Sequence, residues 1–274
     1  MPTNTLQDWF ETPLGQALAR TFARVGAPSD KRLLAATIGQ ALVHRAGFGN
    51  VSGDPTTSTG LADYLRRNSA RDTAFDAQIK WTIARPLAFE PGERYAYTNS
   101  AYLLLGAAIE EATGSKYESY CRDQVLVRLG AGRAVLNPML RFMSSYGGWA
   151  MPLADYARFY QAFASGNPAI GPKARTWMMS PAGKSIGGGA HYGLGTDVRP
   201  LGAGDTNFWH WGSWRYSLSD AYDGSMADSW NAYAVRIGSA DANAAVYFEP
   251  QVTEGGARSE LDRVLGQALA ALRR

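Results

Sequence analysis

The sequence has little cysteine and little histidine, with one Cys and three His among 274 residues. A single cysteine, Cys121, excludes an intramolecular disulfide, and no cluster of Cys and His has the spacing of zinc ligands. A lone cysteine in a helical stretch is most often a small core residue. We therefore expect no disulfide framework, no metal and no other cofactor.

Long apolar runs and concentrated charge are also missing. No stretch of 18 apolar residues occurs, and the N-terminus, MPTNTLQDWF, lacks the basic start and apolar run of a signal peptide. The 27 basic and 24 acidic residues are scattered along the chain, which argues against a nucleic-acid surface. We expect a cytoplasmic protein without a membrane or nucleic-acid partner.

The order of patterns along the chain predicts an α+β fold, a helical lobe packed on a small antiparallel sheet. With 46 % apolar residues, the chain can bury a sizeable core. We expect a single domain over residues 1–274, with a helical region at about 10–185 and the sheet and closing helix at about 186–274.

Helical periodicity dominates the first part of the chain. The polar stretch VSGDPTTSTG interrupts it, and we expect residues 50–60 to form a surface loop. Gly114 is expected to end the helix that follows Asn99, and Pro138 marks a loop. Further helices are predicted at 14–25, from about 37 to Gly47, at 61–67, at 75–84 and at 153–163.

Strand patterns replace helical ones after Gly187. The stretches NFWHWGSWRYS, SWNAYAVRI and NAAVYFEP are short aromatic and β-branched runs separated by turn residues, which is typical of antiparallel strands. Ser259 is expected to cap a closing helix that runs through Leu261, Leu265, Leu269 and Leu272.

Two short stretches carry candidate chemistry. In PGERYAYTNSAYLLLG, Tyr97 offers a hydroxyl that can act in proton transfer, and Asn99 offers an amide that can hold a substrate amide or cap the next helix. In FWHWGSW, alternation along a strand places His210 and Gly212 on one face and Trp211 and Ser213 on the other. Gly212 removes a side chain where a ligand could approach the backbone.

The ordered set LVHRAGF, PGERYAYTN, GGW followed by ARFYQAF, YGLG and FWHWGSW resembles the serine β-lactamase and penicillin-binding-protein superfamily. The likeness covers roughly residues 30–250 and is strongest to the branch of class C β-lactamases, D-aminopeptidases and esterases. It implies a β-lactamase-like fold and an amide, ester or peptide-like substrate.

The resemblance also implies roles for individual residues. It makes Tyr97 and His210 catalytic and Asn99 substrate-orienting, while Trp211 and Gly212 belong to the substrate-binding strand. It makes the backbone N–H of Ser213 an oxyanion-hole donor. It further implies that Tyr97 and His210 face one cavity.

The family nucleophile, Ser-x-x-Lys, is not found in this sequence, because none of its five lysines follows a serine by three positions. Thr113 and Lys116 have that spacing, but they lie at the far end of the helix, across Gly114. We expect the usual N-terminal strands and nucleophile helix to be missing or replaced. Without that lysine, Tyr97 is expected to be a hydrogen-bond donor or general acid rather than a base.

Three interpretations remain open. The protein binds a small amide, ester or peptide-like ligand, or performs acid–base chemistry on it, without a covalent nucleophile. Alternatively, it is a serine hydrolase or esterase whose nucleophile segment is absent from this chain. In the third, it is a non-catalytic binding or assembly protein, and an exposed sheet edge would allow a homo-oligomer.

Overall fold

The computed structural model describes residues 6–57, 60, 74–136, 138–180, 184–202, 205–215, 229–248 and 255–271. The chain separates into two compact units. The first comprises Met1–Val125, Val135–Ala150 and Ala182–Lys184, and the second comprises Leu126–Ala134, Met151–Pro181 and Ser185–Arg274. A single domain over residues 1–274 stays a prediction.

The first unit is mainly helical. A short hairpin of β1 (Val135–Leu136) and β2 (Trp149–Ala150) accompanies the helices, with a 3₁₀ helix at Pro138–Met143 between the two strands. The helices in the described part of this unit are α1 (Leu6–Glu11), α2 (Leu14–Ala17), α3 (Ala19–Val25), α4 (Arg32–Ala35), α5 (Ile38–Leu42), α6 (Ala74–Ile83), α7 (Asn99–Thr113) and α8 (Tyr117–Cys121).

Helix α7 lies at the centre of this unit. Leu103 and Leu104 are fully buried in its core, together with Leu14 and Leu18 from the first helices. Its C-terminus has Gly114 in the left-handed conformation, with φ 68°, and the Gly114 N–H bonds to the helix. Glycine adopts this conformation at low cost, and the predicted helix end is confirmed.

Several predicted boundaries in this unit are wrong. The apolar pattern over 14–25 forms two helices that meet at Leu18, where the backbone leaves the helical region. Helix α5 ends at Leu42 instead of reaching Gly47, because His44 adopts a left-handed backbone conformation, with φ 55°. Pro138 begins a 3₁₀ helix rather than a loop. The predicted helix at 61–67 lies outside the described residues.

The predicted surface loop at 50–60 is also wrong for its middle. Asp54, Pro55 and Thr56 are buried, and Thr56 is completely inaccessible. Hydrogen bonds from Thr56 to the Asp54 carboxylate provide partners for polar groups that would otherwise need water. A polar composition therefore did not indicate exposure here.

The second unit is built on an antiparallel sheet with the order β3-β4-β5-β6-β7-β8. Helix α9 (Leu153–Tyr160) packs on β7 and β8, and α10 (Pro172–Met179) packs on β5. The helix α11 (Gly255–Ala271) follows β8 in the chain. The strands are β3 (Ser185–Gly187), β4 (Ala190–Tyr192), β5 (Asp197–Pro200), β6 (Thr206–Arg215), β7 (Ser229–Ile237) and β8 (Ala242–Phe248).

The three long strands lie where the aromatic runs predicted them, and the α+β fold class is confirmed. The predicted N-cap of the closing helix is wrong, because α11 begins at Gly255 and includes Ser259. Leu272 lies outside the described residues. Short 3₁₀ helices at Gln161–Phe163 and Gly238–Ala240, and a π-helical turn at Arg122–Leu126, complete the described elements.

Candidate functional site

The Tyr97-Thr98-Asn99 stretch forms the entry to α7. Thr98 is the N-cap, because its side chain accepts a hydrogen bond from the Ser100 N–H at 3.2 Å. Asn99 is the first residue of the helix, so the alternative that Asn99 caps the helix is wrong. Tyr97 lies just outside the helix and is 45 % exposed. Its side chain is therefore partly accessible to solvent.

A buried histidine, His44, supports this entry. Its ring centroid lies 4.2 Å from that of Tyr97, 5.0 Å from that of Tyr102 and 5.7 Å from that of Tyr95. The His44 Nδ1 accepts a hydrogen bond from the Thr98 N–H at 3.3 Å, so the neutral ring carries its proton on Nε2. The aromatic contacts hold the Tyr97 ring beside the first turn of α7.

Sequence reasoning used LVHRAGF only as part of a family resemblance and did not select His44. The left-handed backbone of His44 is uncommon for a residue with a side chain. Its carbonyl accepts a hydrogen bond from the Ala96 N–H at 2.9 Å, which ties this conformation to the Tyr97 segment. The histidine within that motif was the available signal.

The Asn99 side chain is anchored at one end. Its Nδ2 donates to the Thr56 carbonyl at 2.7 Å, and the Thr56 segment is itself buried. Among the described residues, no hydrogen bond from the protein engages the Asn99 Oδ1. The amide is thus held by the chain and keeps an acceptor for a second group.

Strand β6 carries the other candidate residues. His210 and Gly212 lie opposite Ala234 and Ala232 of β7, so this face has small neighbours across the ladder. Burial lowers the pKa of His210 to about 4, well below the ordinary histidine value of 6.5. The imidazole is therefore neutral at neutral pH and can accept as well as donate a hydrogen bond.

The alternate face of β6 has larger neighbours. The Trp211 ring stacks on Tyr233 with a centroid distance of 4.1 Å, and the Ser213 Oγ donates to Asn231 Oδ1 at 2.9 Å. The Tyr233 hydroxyl in turn donates to Asp262 of α11. The predicted alternation of faces agrees with the observed register.

Gly212 has room for a side chain. A Cβ built there would meet only the Ala232 carbonyl oxygen, at 3.9 Å, within the described chain. That is an ordinary contact, so packing against the described residues does not require glycine at this position. The missing side chain leaves the β6 backbone open to approach.

The predicted residues thus fall into two groups. Tyr97 and Asn99 lie together at the start of α7 in the first unit, and His210 to Ser213 lie together on β6 in the second. The shared cavity and the catalytic and binding roles stay predictions. In the described segments, no group of three or more His, Cys, Asp or Glu side chains could hold a metal ion.

Comparison with known proteins finds sequence similarity over part of the chain. The chain is 35 % identical over 98 residues to the probable fimbrial assembly protein FimD, serogroup H1, of Dichelobacter nodosus, covering 35 % of this chain and 22 % of that protein. The matched segments of the curated relatives span 13 to 22 % of their length.

Solved structures resemble most of the chain in fold. The D-amino acid amidase of Ochrobactrum anthropi SV3 has a TM-score of 0.66 at 15 % identity. The match covers 97 % of this chain and 77 % of the amidase chain. The D-alanine carboxypeptidase AmpC of Burkholderia cenocepacia has a TM-score of 0.62 at 15 % identity. That match covers 94 % of this chain and 76 % of the carboxypeptidase chain. These similarities show the fold.

The family itself is shown by sequence. The Beta-lactamase family model matches residues 26–226, a segment that contains the α7 entry and the β6 residues. The chain therefore belongs to the β-lactamase family, within the superfamily of serine β-lactamases and penicillin-binding proteins.

Proposed function

We propose that this protein binds a small amide, ester or peptide-like ligand without forming a covalent acyl intermediate. Asn99 and Tyr97 are the proposed binding groups of the first unit. His210, Trp211, Gly212 and Ser213 are the proposed binding groups of the second. His210 and Tyr97 are also the candidates for proton transfer, with Tyr97 as a donor or general acid.

The proposal rests mainly on the hydrogen bonding of the Asn99 side-chain amide. The Thr56 carbonyl takes one Nδ2 hydrogen at 2.7 Å, which sets the orientation of the amide plane. The Oδ1 acceptor and the second Nδ2 hydrogen then match the donor and the acceptor of another amide. Tyr97, two residues earlier in the chain, adds a hydroxyl on a ring that packs against His44.

Relatives in fold suggest which ligands to try first. The names of two of them, a D-amino acid amidase and a D-alanine carboxypeptidase, refer to D-amino acids. D-phenylalanine amide and D-alanyl-D-alanine are therefore suitable probes, with the L-enantiomers as comparison ligands.

The test measures binding of these probes by isothermal titration calorimetry. We expect Asn99→Ala to weaken binding about three- to tenfold, because each lost hydrogen bond contributes about 0.5–1.5 kcal/mol. Asn167→Ala is the matched control, since the Asn167 Nδ2 also donates to a carbonyl, that of Gln161 at 3.0 Å. Equal affinities for the two variants would contradict the role of Asn99.

Gly212→Ala tests the second group of residues. Because the added methyl has space within the described chain, the variant should fold with unchanged stability. We expect weaker binding, since the methyl would occupy the face that the ligand approaches. Unchanged affinity in this variant would remove β6 from the proposal.

Acyl transfer is the second candidate function, favoured by membership of a family of serine hydrolases. It differs in one readout, the mass of the intact protein after incubation with a fluorophosphonate or a β-lactam. Our proposal expects no adduct on folded protein. A stoichiometric adduct, mapped to one residue, would replace non-covalent binding with acyl transfer.

A further inference from the structure

The buried turn before Asn99 contains an acidic side chain with a specific set of partners. Asp54 is only 3 % exposed, and Thr56 is fully buried. The Asp54 Oδ1 accepts hydrogen bonds from the Thr56 N–H at 2.8 Å and from the Thr56 Oγ1 at 2.7 Å. One carboxylate oxygen therefore holds both the backbone and the side chain of Thr56.

The other carboxylate oxygen reaches the helix. The Ser100 Oγ donates to Asp54 Oδ2 at 3.3 Å, and Ser100 is the second residue of α7. This contact places the carboxylate near the N-terminus of a 15-residue helix, where the helix dipole favours negative charge. Asp54 thus joins the turn to the first helical turn of α7.

Thr56 connects Asp54 to Asn99 through hydrogen bonds. Its carbonyl accepts the hydrogen bond from Asn99 Nδ2, while its N–H and Oγ1 donate to Asp54. The Thr56 Oγ1 also lies 3.3 Å from the Ser100 Oγ. Thr56 is therefore hydrogen-bonded to the Asp54 carboxylate through its N–H and Oγ1 and to the Asn99 amide through its carbonyl. Asp54 does not itself contact Asn99 in any described hydrogen bond.

We propose that Asp54 is a positioning residue for Asn99, acting through Thr56 to hold the amide in the orientation that binds the ligand. The inference rests on the proposed function, because it assumes that the Asn99 amide is a binding group. It adds to that function the residue that orients the amide.

The experiment measures the chemical shifts of the Asn99 side-chain amide by ¹⁵N NMR. These resonances are assigned from their loss in Asn99→Ala. We expect Asp54→Ala to shift these resonances, because the Thr56 carbonyl is no longer held. Asp54→Asn should largely restore them, since its side-chain oxygen can still accept from Thr56. Asp155→Ala is the control, a buried aspartate of the second unit that binds Arg133 and Arg158.

Ligand affinity gives the second readout, measured with D-phenylalanine amide. We expect Asp54→Ala to weaken binding about three- to tenfold and to have no further effect in the Asn99→Ala background. If Asp54→Ala does not fold, Thr56→Val removes one of the three hydrogen bonds of the carboxylate and should shift the same resonances by a smaller amount.

The outcomes separate the two claims. Unchanged Asn99 resonances in folded Asp54→Ala or Thr56→Val, or additive losses of affinity in the double variant, would overturn the positioning role. If the wild-type protein binds none of the probes, the proposed function fails. The positioning role is then decided by the resonances alone, and a shift that Asp54→Asn reverses supports it.

Discussion

His210 is a residue whose acid–base chemistry differs clearly from its behaviour in water. Burial lowers its pKa from the ordinary 6.5 to about 4, so the folded protein resists protonation that the unfolded chain accepts. The unfolded state therefore binds more protons between these two pH values. Stability linked to His210 is fully present above about pH 6.5 and falls as the pH decreases towards 4.

We expect this linkage to cost about 1–3 kcal/mol of stability between pH 7 and pH 4. Urea denaturation of the wild-type protein and of His210→Gln over this range measures it, and carboxylates that titrate in both proteins cancel in the difference. The variant should lose less stability on acidification. Parallel losses in the two proteins would show that His210 is not held neutral by burial.

The site residues that the sequence predicted and those it missed differ in whether a short local motif contains them. Tyr97, Asn99 and His210 stand in short motifs whose residue types suggest a site. His44 and Asp54 each have a hydrogen-bond partner that is distant in the chain, Thr98 at a separation of 54 residues and Ser100 at a separation of 46. No local pattern encodes such pairs.

At the scale of the element, two helical glycines lie in opposite environments. Gly106 of α7 faces the turn at Ser145, and a Cβ built on it would lie 2.4 Å from the Ser145 Cβ. Gly266 of α11 has no described atom within 4 Å of such a Cβ. The same substitution should therefore have opposite signs in the two helices.

We expect Gly106→Ala to destabilise the protein by about 1–3 kcal/mol, because the methyl forces α7 and the turn apart. Gly266→Ala should stabilise it by about 0.5–1 kcal/mol, because alanine has the higher helix propensity. Urea denaturation of the two variants provides the measurement. A stabilising Gly106→Ala would contradict the close approach of α7 to Ser145.

At the scale of the whole molecule, the formal net charge is +3 from nearly balanced basic and acidic residues. Across the described residues, no helix is both long and apolar enough to span a bilayer. Strand β8 stands last in the described sheet order. A strand at a sheet edge can pair with a strand of another chain, and we keep the prediction of a homo-oligomer through this edge.

Sedimentation velocity over a wide range of concentration tests this prediction. The exposed Tyr247 lies on β8, and a lysine on an edge strand opposes pairing with another sheet. Tyr247→Lys should therefore shift the protein towards the monomer, while Tyr247→Phe should not. A wild-type protein that is monomeric at every concentration would exclude the oligomer.

The sequence by itself determined the α+β class, the long α7 helix with its glycine end, the aromatic strands and the family, because periodicity and ordered motifs are properties of neighbouring residues. The tertiary structure alone decided that the polar segment at Asp54 is buried, that His44 supports Tyr97, and that Gly266 is open where Gly106 is crowded. These features depend on which distant groups satisfy a hydrogen bond or occupy a volume. Such non-local contacts have no signature in residue order.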